Sequence, residues 1–285
     1  MINQDICKLC GKTLQKEICS SCGAITPRRQ VNDKNINANF MDYSYNNYTN
    51  GTLEKLYSIW TKLNVSIFLQ RSILFSIIGF FLTPLIGGRP RIDFLVSEKY
   101  LDVGCGRGEF MKYLPITWEK TGIEIVNYDN PLVIAANFES YEENFQYSVV
   151  RSWHSLEHAI EPIRFIQKLV RHTQPNGIIV ISTPNANSLS ARFFGRYWLP
   201  RNVDSHFCIL TIDGITNELI KNECEILYKG TYTLFSSAES LAKLLGLKSC
   251  PIYLFIIFNI LMLPLTLLEL LSGKADSLII YARKL

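Results

Sequence analysis

Eleven residues constrain this chain more than any others. Tyr100–Phe110 reads YLDVGCGRGEF: an apolar strand, then Gly104, Gly106 and Gly108, then the first residues of a helix. Glycine accepts positive φ and lets backbone approach a ligand with no side chain between them. The helix that follows favours electronegative ligand groups at its amino end. A strand that feeds such a loop and helix belongs to an α/β architecture. The spacing is Gly-x-Gly-x-Gly, whereas a dinucleotide site needs Gly-x-Gly-x-x-Gly; the residue that would complete it is Glu109, a poor neighbour for a pyrophosphate. The lysine of a P-loop is absent as well.

Two acids refine the ligand class. Asp102 stands two residues before Gly104. Glu124 ends the next strand, at the edge where open α/β sheets bind ligands. A carboxylate there accepts both hydroxyls of a ribose. An acid beside the loop, an acid for ribose and nothing for phosphate suit a cationic nucleoside without phosphates, S-adenosylmethionine.

The rest of the chain from about residue 93 alternates strand and helix. Strands are expected at Lys99–Val103, Thr121–Ile125, Leu132–Ala136, Tyr147–Ser152, Gly177–Thr183, Glu225–Thr233 and Ser277–Lys284. Helices are expected at Glu109–Leu114, about Glu161–His172 and Thr211–Asn222. Pro175-Asn176-Gly177 reads as a turn. This order implies a mostly parallel sheet covered by helices.

The amino-terminal 30 residues are different. Cys7-x-x-Cys10-Gly and Cys19-x-x-Cys22-Gly form two matched knuckles. Four thiolates at this spacing converge tetrahedrally on one ion, so Cys7, Cys10, Cys19 and Cys22 are expected to hold structural Zn2+, with no open position for a substrate. Met1–Cys10 carries Asp5 and Lys8 instead of an apolar h-region, so a cytoplasmic location with reduced thiols is expected. Residues 31–50, rich in Asn and Tyr, read as a linker. The net charge of +4 comes with no long basic run, and no nucleic-acid partner is expected.

Two apolar stretches stand apart. Residues 51–92 read as helical, and Ser72–Gly88 carries no charge. Pro251–Leu271 is long enough to cross a bilayer, yet lies between two strands expected to pair in one sheet. The chain must therefore return to the side it left. A helical hairpin bent near Asn259–Pro264 is expected at 251–271, in one leaflet or packed on the protein. Arg71, Arg89 and Arg91 flank the first stretch and suit anionic headgroups.

Five ordered motifs carry a family resemblance: LDVGCGRGEF (101–110), GIEI (122–125), SWHSLEHAIEP (152–162), PNGIIVISTPNANS (175–188) and FGRYWLPRNVDSHF (194–207). The segment 98–285 resembles bacterial class I S-adenosylmethionine-dependent methyltransferases, in particular the branch found with polysaccharide and lipid-linked glycan synthesis. The resemblance implies a Rossmann-like fold with a seven-stranded sheet, here with a small zinc ribbon before it and an apolar helical insertion before the last strand. It implies cofactor contacts at Asp102, Gly104, Gly106 and Glu124, with Asn137 near the adenine. Cys105 and Gly108 complete the loop, and Trp153 is expected to wall the pocket. Ser148 stands where the family usually has Asp, and Asp204-Ser205-His206 replaces the usual Pro-Arg-His.

A hydroxyl acceptor benefits from a base. His154, after the fourth strand, and His206, after the fifth, face the ligand edge and are the candidates. The expected function is O-methylation of a saccharide, lipid-linked glycan or other envelope precursor by a peripheral or monotopic protein at the inner membrane face. A quinone-like or small apolar acceptor, and a non-catalytic scaffold, are the alternatives. The oligomeric state is open.

Overall fold

A computed structural model describes residues 6–14, 16–27, 51–69, 92, 98–234, 236–247 and 249–285, with backbone only for 51–57. The expected linker 31–50 and the stretch Ser72–Gly88 lie outside the described residues. Seven strands form one sheet: β1 Lys99–Val103, β2 Glu119–Glu124, β3 Val133–Ala135, β4 Tyr147–Trp153, β5 Thr173–Pro184, β6 Cys224–Tyr232 and β7 Ser277–Lys284. Their order is β3-β2-β1-β4-β5-β7-β6. β1 to β5 run parallel, and β7 runs antiparallel to both β5 and β6. This is the Rossmann-like methyltransferase arrangement.

The strand order reverses between β1 and β4, so the helices that follow them leave on opposite faces. A crevice opens there, at the carboxyl ends of the strands. The central strands are buried on both faces, as their unbroken Val/Ile runs require. On one face, α3 (Pro162–Arg171) buries Pro162, Phe165, Ile166 and Leu169, the spacing of a single helical stripe, against the sheet. α5 (Ile212–Lys221) lies beside it. On the other face, α1 (Gly51–Phe68) sets Val65 and Phe68 beside Tyr100, Met111 and Trp118. Phe68 meets Phe110 of α2 (Glu109–Lys112) edge-on at 5.5 Å.

Two expectations change. Pro175-Asn176-Gly177 is not a turn between elements but an irregularity inside β5. Asn176 takes φ 63°, and the pairing with β4 jumps from Tyr147–Thr173 to Val149–Ile178. Extra residues are looped out while both flanks keep their ladder bonds. The apolar insertion is an elbow, not a hairpin: α7 (Ile252–Leu261) and α8 (Leu263–Ser272) are bent by 59° at Met262. Their inner sides pack on α6 (Ser236–Leu244) and α4 (Leu189–Phe194). No single helix among the described residues is long and apolar enough to cross a membrane, although the bent pair passes that test together.

The cysteine knuckles are built into this body. Gly11 N–H donates to Cys7 O and Gly23 N–H to Cys19 O, both at 2.9 Å, with positive φ at each glycine. Ile25 and Ile209 exchange two backbone hydrogen bonds (2.9 and 2.8 Å). Arg201 pairs with Glu17. Cys7, Leu14, Cys19 and Ala24 belong to the same core as β1, β4 and β5.

Candidate active site

The crevice is lined at its floor by Val103, Gly104 and Ile123, on one side by Glu124, Ile125, Asn137 and Phe138, and on the other by His154, Ser155, His158 and Ile160. Gly104 has φ 73°, and a Cβ there would sit 2.3 Å from Ser155 Cβ, so only glycine lets the two loops close together. Glu124 is 8% exposed. Its Oε2 accepts from Gly106 N–H and its Oε1 from Ile125 N–H, each at 2.8 Å. The acid at the end of β2 thereby holds the glycine loop in shape. Burial pushes its pKa up, and the backbone N–H groups pull it back. Each oxygen has further lone-pair capacity for a ligand hydroxyl. Asn137 Oδ1 accepts from Glu139 N–H (2.9 Å) and turns the chain at the rim.

Other expected cofactor residues stand outside this lining. Asp102 is fully buried, and both of its oxygens accept from Arg151 Nη1 at 3.0 and 3.1 Å. Its carboxylate therefore serves an internal cation, not the crevice. The register explains this: β1 and β4 place Asp102 opposite Arg151. Trp153 lies on that same side, 4.6 Å from the Arg151 guanidinium, with Phe110 at 4.0 Å. Alternation along β4 puts Trp153 on the face of Arg151, outside the crevice lining. Cys105 Sγ packs over Gly122, where a Cβ would meet it at 2.5 Å. Gly108, φ 78°, starts α2 beside Asn130. Gly106 contributes its N–H to Glu124.

The two candidate bases differ. His154 lines the crevice and holds φ 52°, an unusual backbone for a non-glycine residue at a strand end. Its Nδ1 meets Glu157 Oε1 at 3.1 Å, and its Nε2 meets Tyr232 Oη at 2.9 Å. Tyr232 Oη is also 2.7 Å from Ser182 Oγ. His206 is 8% exposed and absent from the lining. Its Nδ1 donates to Pro200 O at 2.7 Å, its ring abuts His158, and burial lowers its pKa to about 3. It is enclosed with Glu157 and His158 instead of facing a substrate. Glu157, 1% exposed, keeps its charge although burial opposes it: the bond from His154 and the neighbouring imidazoles hold its pKa down at about 2.

Sequence reasoning missed Tyr232, Ser182 and Arg151 and undervalued Glu157. Arg151 had a usable signal, since it and Asp102 are the charges in the interior of two neighbouring strands, β4 and β1. Tyr232 had none. Ser148, the departure from the usual Asp, is not at the site. It sits at the amino end of β4, where its Oγ accepts from Lys99 N–H (2.9 Å) and donates to Lys99 O (3.0 Å).

In the cysteine module the four sulfurs lie within 4.8 Å of one another, with Cys7–Cys22 and Cys10–Cys19 at 3.5 Å. That donor set suits zinc.

The methyltransferase-domain family matches residues 81–229, just over half of the 285 residues. The chain belongs to that family. This methyltransferase domain is similar to the ubiquinone biosynthesis O-methyltransferase of Rickettsia prowazekii (strain Madrid E), 29% identical over 164 residues, covering 44% of this chain and 65% of that one. It is similar too to the ubiquinone biosynthesis O-methyltransferase of Rickettsia typhi (strain ATCC VR-144 / Wilmington), 32% identical over 147 residues, covering 44% of this chain and 59% of that one. The chain thus spans less than two thirds of the length of these relatives. Among solved structures, a cyclopropane synthase from Mycobacterium tuberculosis aligns at TM-score 0.44 and 17% identity, covering 73% of this chain and 83% of its own. The methyltransferase family supports S-adenosylmethionine as the cofactor. The crevice fits it: Glu124 for the ribose, Ile125, Phe138 and Ile160 as apolar walls, and no Lys or Arg among the described lining residues.

Proposed function

We propose that this chain is an S-adenosylmethionine-dependent O-methyltransferase whose acceptor is presented at the inner membrane face. One observation carries the reading: a buried carboxylate at the carboxyl end of β2, hydrogen-bonded to the glycine loop, in a crevice lined by two acids, two histidines and mostly apolar groups, with no Lys or Arg among the described lining residues. That lining recognises ribose and repels phosphate. The cofactor supplies a methyl group already activated on a sulfonium. The protein's task is then mainly to hold the partners in line. His154 is the residue placed to take the acceptor proton. With its Nδ1–H directed at Glu157, Nε2 is the basic nitrogen, and an acceptor hydroxyl would take the place that Tyr232 holds there. A positioned base of this kind contributes roughly 10²–10⁴-fold.

The membrane reading rests on the elbow. Ten large apolar residues of 252–271 are exposed, from Ile252 (68%) to Leu271 (86%). The segment's one charge, Glu269, points inward, is fully buried and accepts from Ser190 N–H at 2.8 Å. The polar residue is inside and the apolar residues are outside, the reverse of a soluble helix. Each helix of ten residues is about 15 Å long, half a hydrocarbon core. Both ends join one sheet, so the elbow lies in the interface without crossing. Full-length protein should float with anionic vesicles. Replacing Ile256 and Leu268 by Asp should cut the bound fraction at least about 10-fold, since each apolar side chain contributes roughly 1.5–3 kcal/mol on burial. Equal flotation of the variant would remove the elbow from the binding face.

A lipid-linked saccharide or other envelope precursor is the first acceptor class. A phenolic quinone precursor is the second, favoured by the two curated relatives, whose names state ubiquinone biosynthesis. Tritiated methyl transfer to membrane extracts separates them. Label released by mild acid into the aqueous phase indicates the saccharide; label that stays with apolar, acid-stable material indicates the quinone class. No incorporation into any fraction would reject the enzyme reading.

The cysteine module is read in the same way, as a structural zinc site that buttresses the loop carrying Arg201 and Ile209.

A further inference from the structure

Behind the wall of the crevice lies a second cluster of ligating groups, of which the proposed reaction uses only Glu157, through Oε1 as the partner of His154 Nδ1. Glu157, His158 and His206 each present a ligand atom, all within 4.8 Å of one another. They come from two separate segments, the 3-10 turn Leu156–His158 and the loop after α4. His158 Nδ1 donates to Ser205 O at 2.9 Å and His206 Nδ1 donates to Pro200 O at 2.7 Å. A carbonyl only accepts, so both rings carry their proton on Nδ1, and Nε2 is the nitrogen each would turn to an ion. Metal-ligating histidines are held in this way, one nitrogen on a backbone carbonyl and the other on the ion. Glu157 is oriented as well, its Oε2 accepting from Thr183 Oγ1 at 2.9 Å. Its backbone oxygen accepts from Phe207 N–H at 2.9 Å, which holds the two segments together independently of any ion.

We infer that Glu157, His158 and His206 form a binding site for a divalent transition-metal ion of the zinc class, distinct from the four cysteines. Two imidazoles and one carboxylate are a zinc-type donor set. Bonds of about 2.1 Å would bring tetrahedral donors to roughly 3.4 Å from one another, a contraction that side-chain rotation supplies. An ion there ties the 3-10 turn, whose His158 lines the crevice, to the loop around His206. The ion acts first as a clamp on the crevice wall.

The test is zinc content of the full chain after equilibration with Zn(II) alone and gel filtration. Cys7→Ser with Cys22→Ser removes the cysteine site; His206→Gln and Glu157→Gln remove the second. Each second-site variant is expected to hold one equivalent less than its parent, whether or not the cysteines are intact. The cobalt-loaded double-cysteine variant is expected to keep visible d–d bands without thiolate charge transfer, which reads the second site with all its ligands present and needs no mutation there. Unchanged zinc content in folded His206→Gln and Glu157→Gln, or a double-cysteine variant that binds neither zinc nor cobalt, overturns the inference.

Discussion

Glu124→Ala is expected to weaken S-adenosylmethionine binding by about 100-fold or more, measured by calorimetry. The carboxylate has two duties. It shapes the glycine loop through Gly106 N–H and it presents its remaining lone pairs to the crevice. Hydrogen bonds to a charged group are worth about 1.5–3 kcal/mol each, so losing two ribose bonds alone exceeds the roughly 2.7 kcal/mol that a 100-fold change requires. Alanine also leaves Gly106 N–H without its present acceptor. Glu124→Gln keeps one acceptor oxygen and should lie between, about 10-fold weaker. A folded Glu124→Ala protein with parental affinity would contradict both the ribose assignment and the enzyme reading.

Arg151→Ala is expected to destabilise the fold by about 3–5 kcal/mol, because it leaves the Asp102 charge buried with no cation. Asp102 is fully buried, and the guanidinium lies between the rings of Phe110 and Trp153 at 4.0 and 4.6 Å. In a domain of this size the loss lowers Tm by roughly 10 °C. Arg151→Lys should recover only part of the stability: an ammonium keeps the charge but not the flat surface that stacks on two rings. Removing both charges, with Asp102→Asn and Arg151→Met together, should cost less than Arg151→Ala alone, since no lone charge remains. Urea unfolding of the four proteins checks the series. A loss below about 1 kcal/mol for Arg151→Ala would mean that water reaches Asp102 after all.

These two positions show how unevenly the site was legible. Glu124 could be placed at the ligand edge because a strand's end and the loop beside it are local features. Asp102 was placed near the ligand by the same local logic. It is turned inward by a partner 49 residues away, whose own charge inside an apolar strand was the available clue. The histidines divide similarly. His154 follows its strand into the crevice, whereas His206 is carried inward by a loop whose path depends on Pro200, Ser205 and Glu157.

The amino-acid sequence alone determined the strand ends at Lys99–Val103 and Ser277–Lys284, the glycine loop, the paired cysteine knuckles and the apolar character of 251–271. Each depends on φ preferences or on periodicity within a few residues. Only the tertiary structure decided which way that information points: the knuckles fused to Ile209 instead of tethered apart, the apolar segment bent by 59° with its one acid facing in, and Tyr232 brought from β6 onto His154. Those outcomes come from strands paired across long separations. Burial and hydrogen bonding between such strands are properties of the assembled sheet, and no single segment contains them.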